Sequence, residues 1–413
     1  MDGTRKLVVV AVGVAWLGLG PRTARAGASA AWPGWRGPTR DGLWHEVPTK
    51  MPTVTLLWKK PMAGPCSAGI SAAGGRVVVA DGDKDNDYYR CYDARTGKKA
   101  WTCTVPNGRK IDYGPSPRAT PSIAGGRVFC LGTFGDVHCL DLKTGKALWE
   151  KDYRKDFGAG ETPIWGYCTA LLAVDGKVIL HPNGLVALDA ASGKVAWRGK
   201  ASGTNYSNFL VGTFGGVRQI IGYDAGSLAG WDPKTGRRLW ELEVDNSKGY
   251  IVPTPVALGE KLLVPSEDED TRLYAFDKAG KLIALPVHEN EDFAPEMATP
   301  TVQGELVLGI CEGLICMDPA QKLKTLWIDE DEDAFYGLSH IVATKDRALV
   351  FGEDGTMVLV RADRKKCTIL GKKKLCRQTW THPALADGRI YIRDDDFLYC
   401  YQLGDQAATK PGP

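Results

Sequence analysis

The stretch CLDLKTGKALW at residues 139–149 decides the fold, because it returns along the chain at a nearly fixed step. CYDARTGKKAW (91–101) precedes it, and ALDAASGKVAW (187–197) and GWDPKTGRRLW (230–240) follow it. Weaker copies are AFDKAGKLIAL from Ala275, CMDPAQKLKTLW from Cys316, VLVRADRKK with Arg361 in the Asp position, and CYQL at Cys400. The Asp positions are 93, 141, 189, 232, 277, 318, 361 and 402, at steps of 41 to 48 residues. That period is one four-stranded propeller blade. In each copy a strand ends at the Asp, a turn with Gly follows, and the next strand carries Trp. Gly enters positive φ without steric cost, and Asp can accept from the N–H groups of its own turn.

The surroundings support the period. Thr-Pro or a similar pair announces an inner strand ahead of several Asp positions, at Ala119, Pro253, Ala298 and Thr381, and short β-branched strands follow Gly-rich turns. The last copy lacks a Trp strand after Gln402, and the missing strand stands at the other end as Leu56-Leu57-Trp58-Lys59-Lys60. The expected fold is therefore all-β: an eight-bladed β-propeller of four-stranded antiparallel blades, closed by pairing the N-terminal strand with the C-terminal blade.

Residues 1–26 read as a signal peptide, with Arg5 and Lys6, an apolar run over 7–19 and Ala24-Arg25-Ala26 as the cleavage site after Ala26. A lead-in segment at 27–52, the propeller at 53–404 and a flexible tail at 405–413 complete the division. Neither the leader nor any later run reaches the roughly 20 apolar residues of a membrane span, so the expected location is periplasmic or secreted. The chain has 413 residues, 44% hydrophobic and 24% charged, with a formal charge of +3. That composition excludes a disordered chain, and the small basic surplus argues against nucleic acid as a partner. Removal of the leader leaves 48 basic and 48 acidic residues. A monomer is expected.

The LD-x-x-TGK-x-x-W unit resembles the repeat of pyrroloquinoline-quinone-type (PQQ-like) propellers, shared by quinoprotein alcohol dehydrogenases and BamB-like outer-membrane assembly proteins. The likeness covers about residues 53–404. The lead-in WPGWRGPTRDG at 32–42 resembles the mature start of secreted bacterial members of that superfamily. For its enzymes, the resemblance implies a quinone at the mouth of the central channel. A disulfide of adjacent cysteines covers one face of the quinone, a Trp covers the other, and Glu, Asn and Asp hold a Ca²⁺. This chain has no Cys-Cys pair, no CxxCH haem site and no long insertions, and it lacks the GxSxG, GxxxxGK[ST] and HExxH motifs. The expected function is a non-catalytic binding or scaffold module for an envelope protein or polysaccharide, with no cofactor. The alternative is a PQQ-dependent alcohol or sugar dehydrogenase, or a degenerate quinone binder, with PQQ and Ca²⁺.

Connectors between blades place the candidate ligand- or partner-binding residues at the channel mouth: Arg118, Trp165, Tyr167, Tyr206, Asn208, Tyr250, Glu296, Tyr336, His340, Trp380 and His382. The alternating carboxylates Asp81, Asp83, Asp85 and Asp87 resemble the start of a calcium loop, but Asn86 and Tyr92 depart from the EF-hand pattern. Acidic runs fall in loops of the mouth face and Lys/Arg in the opposite turns, so an acidic top and a basic bottom are expected. Cys91, Cys139, Cys316 and Cys400 share one repeat position and read as packing residues, while Cys367 and Cys376 flank a candidate hairpin. The repeated Trp at 58, 101, 149, 197, 240 and 327 read as docking residues between blades.

Overall fold

A computed structural model describes residues 31–404, apart from 115, 268 and 336. The leader and the tail lie outside the described residues. The chain forms eight four-stranded antiparallel sheets. In the first, the strands Ile70–Ala73, Arg76–Gly82, Asn86–Asp93 and Lys99–Pro106 run outward in chain order. Six further blades repeat that order. The eighth holds Ala384–Ala386, Arg389–Arg393 and Phe397–Leu403, and its outermost strand is Val54–Pro61. Val54 pairs with Leu403 and Trp58 with Cys400, so the ring closes as the sequence predicts. Among the described residues helix is confined to short pieces, of which Tyr153–Phe157 and Glu332–Phe335 sit in connectors between blades.

The repeat motif is a docking device. Asp141 Oδ1 accepts from the N–H of Lys143 and Thr144 and from the Thr144 hydroxyl, which fixes the turn. The same bonds recur at Asp93. That turn presents Gly145 at φ 72° to Trp101 of the preceding blade, leaving only 2.6 Å between a Cβ at Gly145 and the indole. The Trp101 Nε1–H then donates to Leu142 O at 3.0 Å. Trp149 repeats the bond to Ala190 O, Trp197 to Pro233 O and Trp327 to Asp363 O. Across its own sheet, each Trp faces a small residue just before a bulge: Cys91, Cys139, Ala187, Gly230, Cys316 or Cys400. This is why cysteine recurs at that position; all eleven are free thiols. Cys367 and Cys376 stand near opposite ends of one extended strand, Cys367–Lys374, which corrects the hairpin expectation. The fifth blade has Leu285 in the Trp position, and Asn290 Nδ2 donates across its seam to Leu323 O at 2.8 Å.

The described part of the lead-in, from residue 31 on, is a plug, which the sequence reading missed. Trp32 pairs by backbone with Ala72 of the first blade, Pro33 O accepts from Ile123 N of the second, and Trp44 N donates to Ala343 O of the seventh. From this floor two arginines reach into the ring. Arg36 donates to Thr299 O, Pro300 O and Thr301 Oγ1 of the sixth blade. Arg40 donates to Ala170 O and Asn208 Oδ1 at the entries to the third and fourth blades. Trp35 lies between them, with the guanidinium carbons 5.6 and 5.4 Å from its ring. Burial lowers both arginines to about 10, so each stays charged at neutral pH.

Candidate functional site at the channel mouth

With one end plugged, the channel opens at the other as a cavity of about 360 Å³. Arg118, Trp165, Tyr206, Tyr250, Glu296, His340, Trp380 and His382, all candidates from the sequence, line it together with Tyr113 and Cys168. One wall is aromatic: the Trp165 ring lies 5.5 Å from Tyr206 and 5.0 Å from Tyr250. Opposite, Tyr113 lies 5.9 Å from Trp380. The His340 and His382 rings stack with centroids 3.6 Å apart. Trp35 of the plug donates its Nε1–H to His382 Nε2 at 3.1 Å, and His340 Nε2 lies 3.1 Å from Trp380 O. Burial lowers His340 to about 4 and His382 well below the ordinary imidazole value, with Arg36 pushing both in the same direction.

Two candidates are placed elsewhere. Tyr167 is buried in the core between the second and third blades, 4.8 Å edge-on to Tyr153. The helix Tyr153–Phe157, capped by Asp152 and Gly158, brings Tyr153 there. Asn208 is buried too, its Oδ1 accepting from Arg40 and from Ala170 N, so it receives the plug rather than facing the cavity. Tyr336 lies outside the described residues. Trp35, in contact with His382, is the side chain at this site that sequence reasoning missed. The signal was present in Trp32-Pro33-Gly34-Trp35-Arg36, aromatic and basic residues too dense for a solvated leader remnant.

The four aspartates of the candidate calcium loop take separate partners. Asp81, fully buried, accepts from Arg90 Nε at 2.8 Å and Ala63 N, with Arg393 Nη1 at 3.5 Å. Asp83 Oδ1 fixes its own turn through Asp85 N and Asn86 N, its Oδ2 accepts from Tyr88, and Asp85 is exposed. Asp87 accepts from Asn107 Nδ2, and its Oδ2 is buried without a partner. Among the described residues no group of three or more His, Cys, Asp or Glu is arranged to hold a metal ion.

Desolvation, reinforced by Asp136, raises Asp87 to about 7. Above pH 4 the unfolded chain releases this proton while the folded chain keeps it, so folding weakens as pH rises toward 7. Asp87→Asn keeps the shape and removes that burden. It is expected to stabilise the protein at pH 8 by on the order of 2 kcal/mol, with the gain shrinking toward pH 4. Denaturant unfolding across that pH range measures it.

A second hollow adjoins the mouth and shares Glu296, Met297, Leu338 and Trp380 with it. This groove of about 820 Å³ is lined by Glu267, Glu296, Glu312, Glu330, Asp331, Glu332 and Glu353, with no Lys or Arg among the lining residues. On the opposite face a shallow hollow is lined by Arg76, Arg95, Lys98, Lys99 and Lys143 around Asp93 and Thr96. The two faces carry opposite charge at these places.

The quinone pocket implied by the resemblance does not fit these residues. The one cysteine at the cavity, Cys168, directs its thiol to Trp165 O and Gly166 O. A tricarboxylated quinone would meet Glu296 and the acidic groove with Arg118 as the single cavity-lining Arg or Lys.

Comparison with known proteins agrees with the architecture. The family described as outer membrane protein assembly factor BamB matches residues 50–115 and 85–322. The outer membrane protein assembly factor BamB of Bordetella pertussis is 22% identical over 309 residues, covering 72% of this chain and 74% of that protein. Lupanine 17-hydroxylase [cytochrome c] of a Pseudomonas species is 31% identical over 148 residues, 32% of this chain and only 21% of that protein. The crystal structure of the quinohemoprotein alcohol dehydrogenase from Comamonas testosteroni superposes with a TM-score of 0.64 at 13% identity, covering 93% of this chain and 82% of that one. That likeness concerns the fold. No helix among the described residues is long and apolar enough to cross a membrane.

Proposed function

The chain belongs to the propeller family described as outer membrane protein assembly factor BamB, and from that premise we propose a non-catalytic binding module of the cell envelope. It docks a partner protein on the face around the channel mouth. The observation that carries this reading is the acidic groove, set on a rigid ring and opposed by a basic face. A basic segment of a partner would be steered to that groove and oriented by it, since complementary fields act on encounter and register. Rigid blades presenting variable connectors suit recognition.

Pull-down from envelope extract tests the reading, using the wild-type protein and a Glu330→Lys/Glu332→Lys variant. Both residues are exposed, so the fold should tolerate the change. The expected result is a partner captured at low salt and lost at high salt or with the charge reversal. Capture that ignores both changes, or no partner at all, overturns it.

Likeness to quinohemoprotein alcohol dehydrogenases favours a second reading, a quinone binder. Titration with PQQ and Ca²⁺, followed by absorbance and melting temperature, separates the two. No saturable change is expected, given the donor set at the cavity.

A further inference from the structure

We propose that the mouth cavity binds a neutral sugar ring, a ligand distinct from the protein partner, through the stacked pair His340 and His382 and the aromatic walls on either side. The argument begins with hydrogen-bond chemistry. A carbonyl oxygen only accepts, so His340 Nε2, 3.1 Å from Trp380 O, carries its hydrogen there. The neutral ring then keeps a bare lone pair on Nδ1. An indole N–H only donates, so His382 Nε2 accepts from Trp35 and the ring holds its hydrogen on Nδ1. The two imidazoles are thereby locked in opposite tautomers. Among the described residues neither Nδ1 atom has a hydrogen-bond partner, and both rings line the cavity. Stacked with centroids 3.6 Å apart, the two rings bring one acceptor and one donor to the same cavity. Two protonated rings at that separation would repel, and burial keeps both neutral.

A vicinal diol meets this pair: one hydroxyl donates to His340 Nδ1 while its neighbour accepts from His382 Nδ1–H. Glu296 and Arg118 add the planar acceptor and donor groups that bind further hydroxyls. The Trp165–Tyr206–Tyr250 wall and the Tyr113–Trp380 wall supply flat apolar surface for the C–H faces of a ring. A volume of about 360 Å³ is within the range of small-molecule sites. Trp35 is a positioning residue here, because it sets the tautomer of His382 without reaching the ligand.

The test uses the purified full chain, titrated by calorimetry with neutral gluco-, manno- and chito-disaccharides and with choline as the competing probe. Trp165 and Trp380 at the cavity report binding by fluorescence as well. The expected result is saturable binding of at least one sugar that weakens about tenfold in His340→Phe, which keeps the stack and removes the acceptor. It also weakens about tenfold in Trp165→Ala, and fades below pH 4 as His340 protonates. An unchanged melting temperature in His340→Phe separates loss of the acceptor from loss of fold. Binding of choline with no sugar, no sugar binding at all, or sugar binding indifferent to His340→Phe overturns the proposal. These outcomes are independent of whether an envelope protein docks in the acidic groove.

Discussion

Arg36→Ala is expected to lower the free energy of unfolding by about 3–5 kcal/mol, read as a shift of the denaturant midpoint. Arg36 is 3% exposed, and its guanidinium makes four hydrogen bonds: to Thr299 O, Asp41 O, Pro300 O and Thr301 Oγ1. Hydrogen bonds to a charged group are worth roughly 1.5–3 kcal/mol each, though not additively. Truncation strands those acceptors in a buried site and opens a void beneath Trp35 and His382. The effect extends beyond one contact, because the plug is tied by backbone to the first, second and seventh blades while Arg36 ties it to the sixth. Without that bond, residues 32–44 should become a target for limited proteolysis before the ring opens. Arg36→Lys keeps the charge but cannot span the acceptors, so it should recover less than half of the loss. A wild-type midpoint for Arg36→Ala would mean that the plug contributes nothing to the ring.

The contrast between blade and plug shows what was legible in the chain. Where the motif is complete, a blade repeats one local solution: Asp fixing a turn, Gly yielding space and Trp entering the space its neighbour leaves. All three parts lie within eleven residues, so the motif at 139–149 could be read directly. Blade number and ring closure followed, since Leu56–Lys60 was the one Trp strand without a blade of its own. The plug obeys no repeat. Arg36 meets Thr301 across 265 positions, and Trp35 meets His382 across 347. Such pairs are set by where the channel axis lies, which no local pattern records. The mouth was intermediate. Connector residues were assigned to the correct face, and eight converge on one cavity. Tyr167 and Asn208 were misplaced because alternation along a connector does not say which side chains turn toward the axis. The acidic loops carry a double reading as well. Asp224 and Asp394 accept from backbone N–H groups of their own hairpins, so part of the negative face is turn chemistry. Groove residues such as Glu330 and Glu332 are exposed and leave their charge to solvent.

The other large effect is expected at the seam between the first and second blades. Gly145→Val should destabilise the protein by about 3–5 kcal/mol, from two separable causes. Gly145 sits at φ 72°, where a β-branched residue is strained by roughly 1–3 kcal/mol. A Cβ there would also lie 2.6 Å from the Trp101 ring, so the indole must leave its seat. Its hydrogen bond to Leu142 O would break, and overpacking of this kind costs about 1–3 kcal/mol. Gly75→Ala isolates the first cause: φ is 70°, yet nothing lies within 4 Å of the added carbon. That variant should lose only about 1 kcal/mol. If docking of Trp101 holds the seam, Gly145→Ala falls between the two, and Trp101→Ala approaches Gly145→Val because both empty the same seat. Equal losses for Gly75→Ala and Gly145→Ala would instead assign the whole cost to the backbone. The repeated Gly would then be a requirement of the turn alone, and the Trp carried by the next strand would owe its recurrence to something other than this contact.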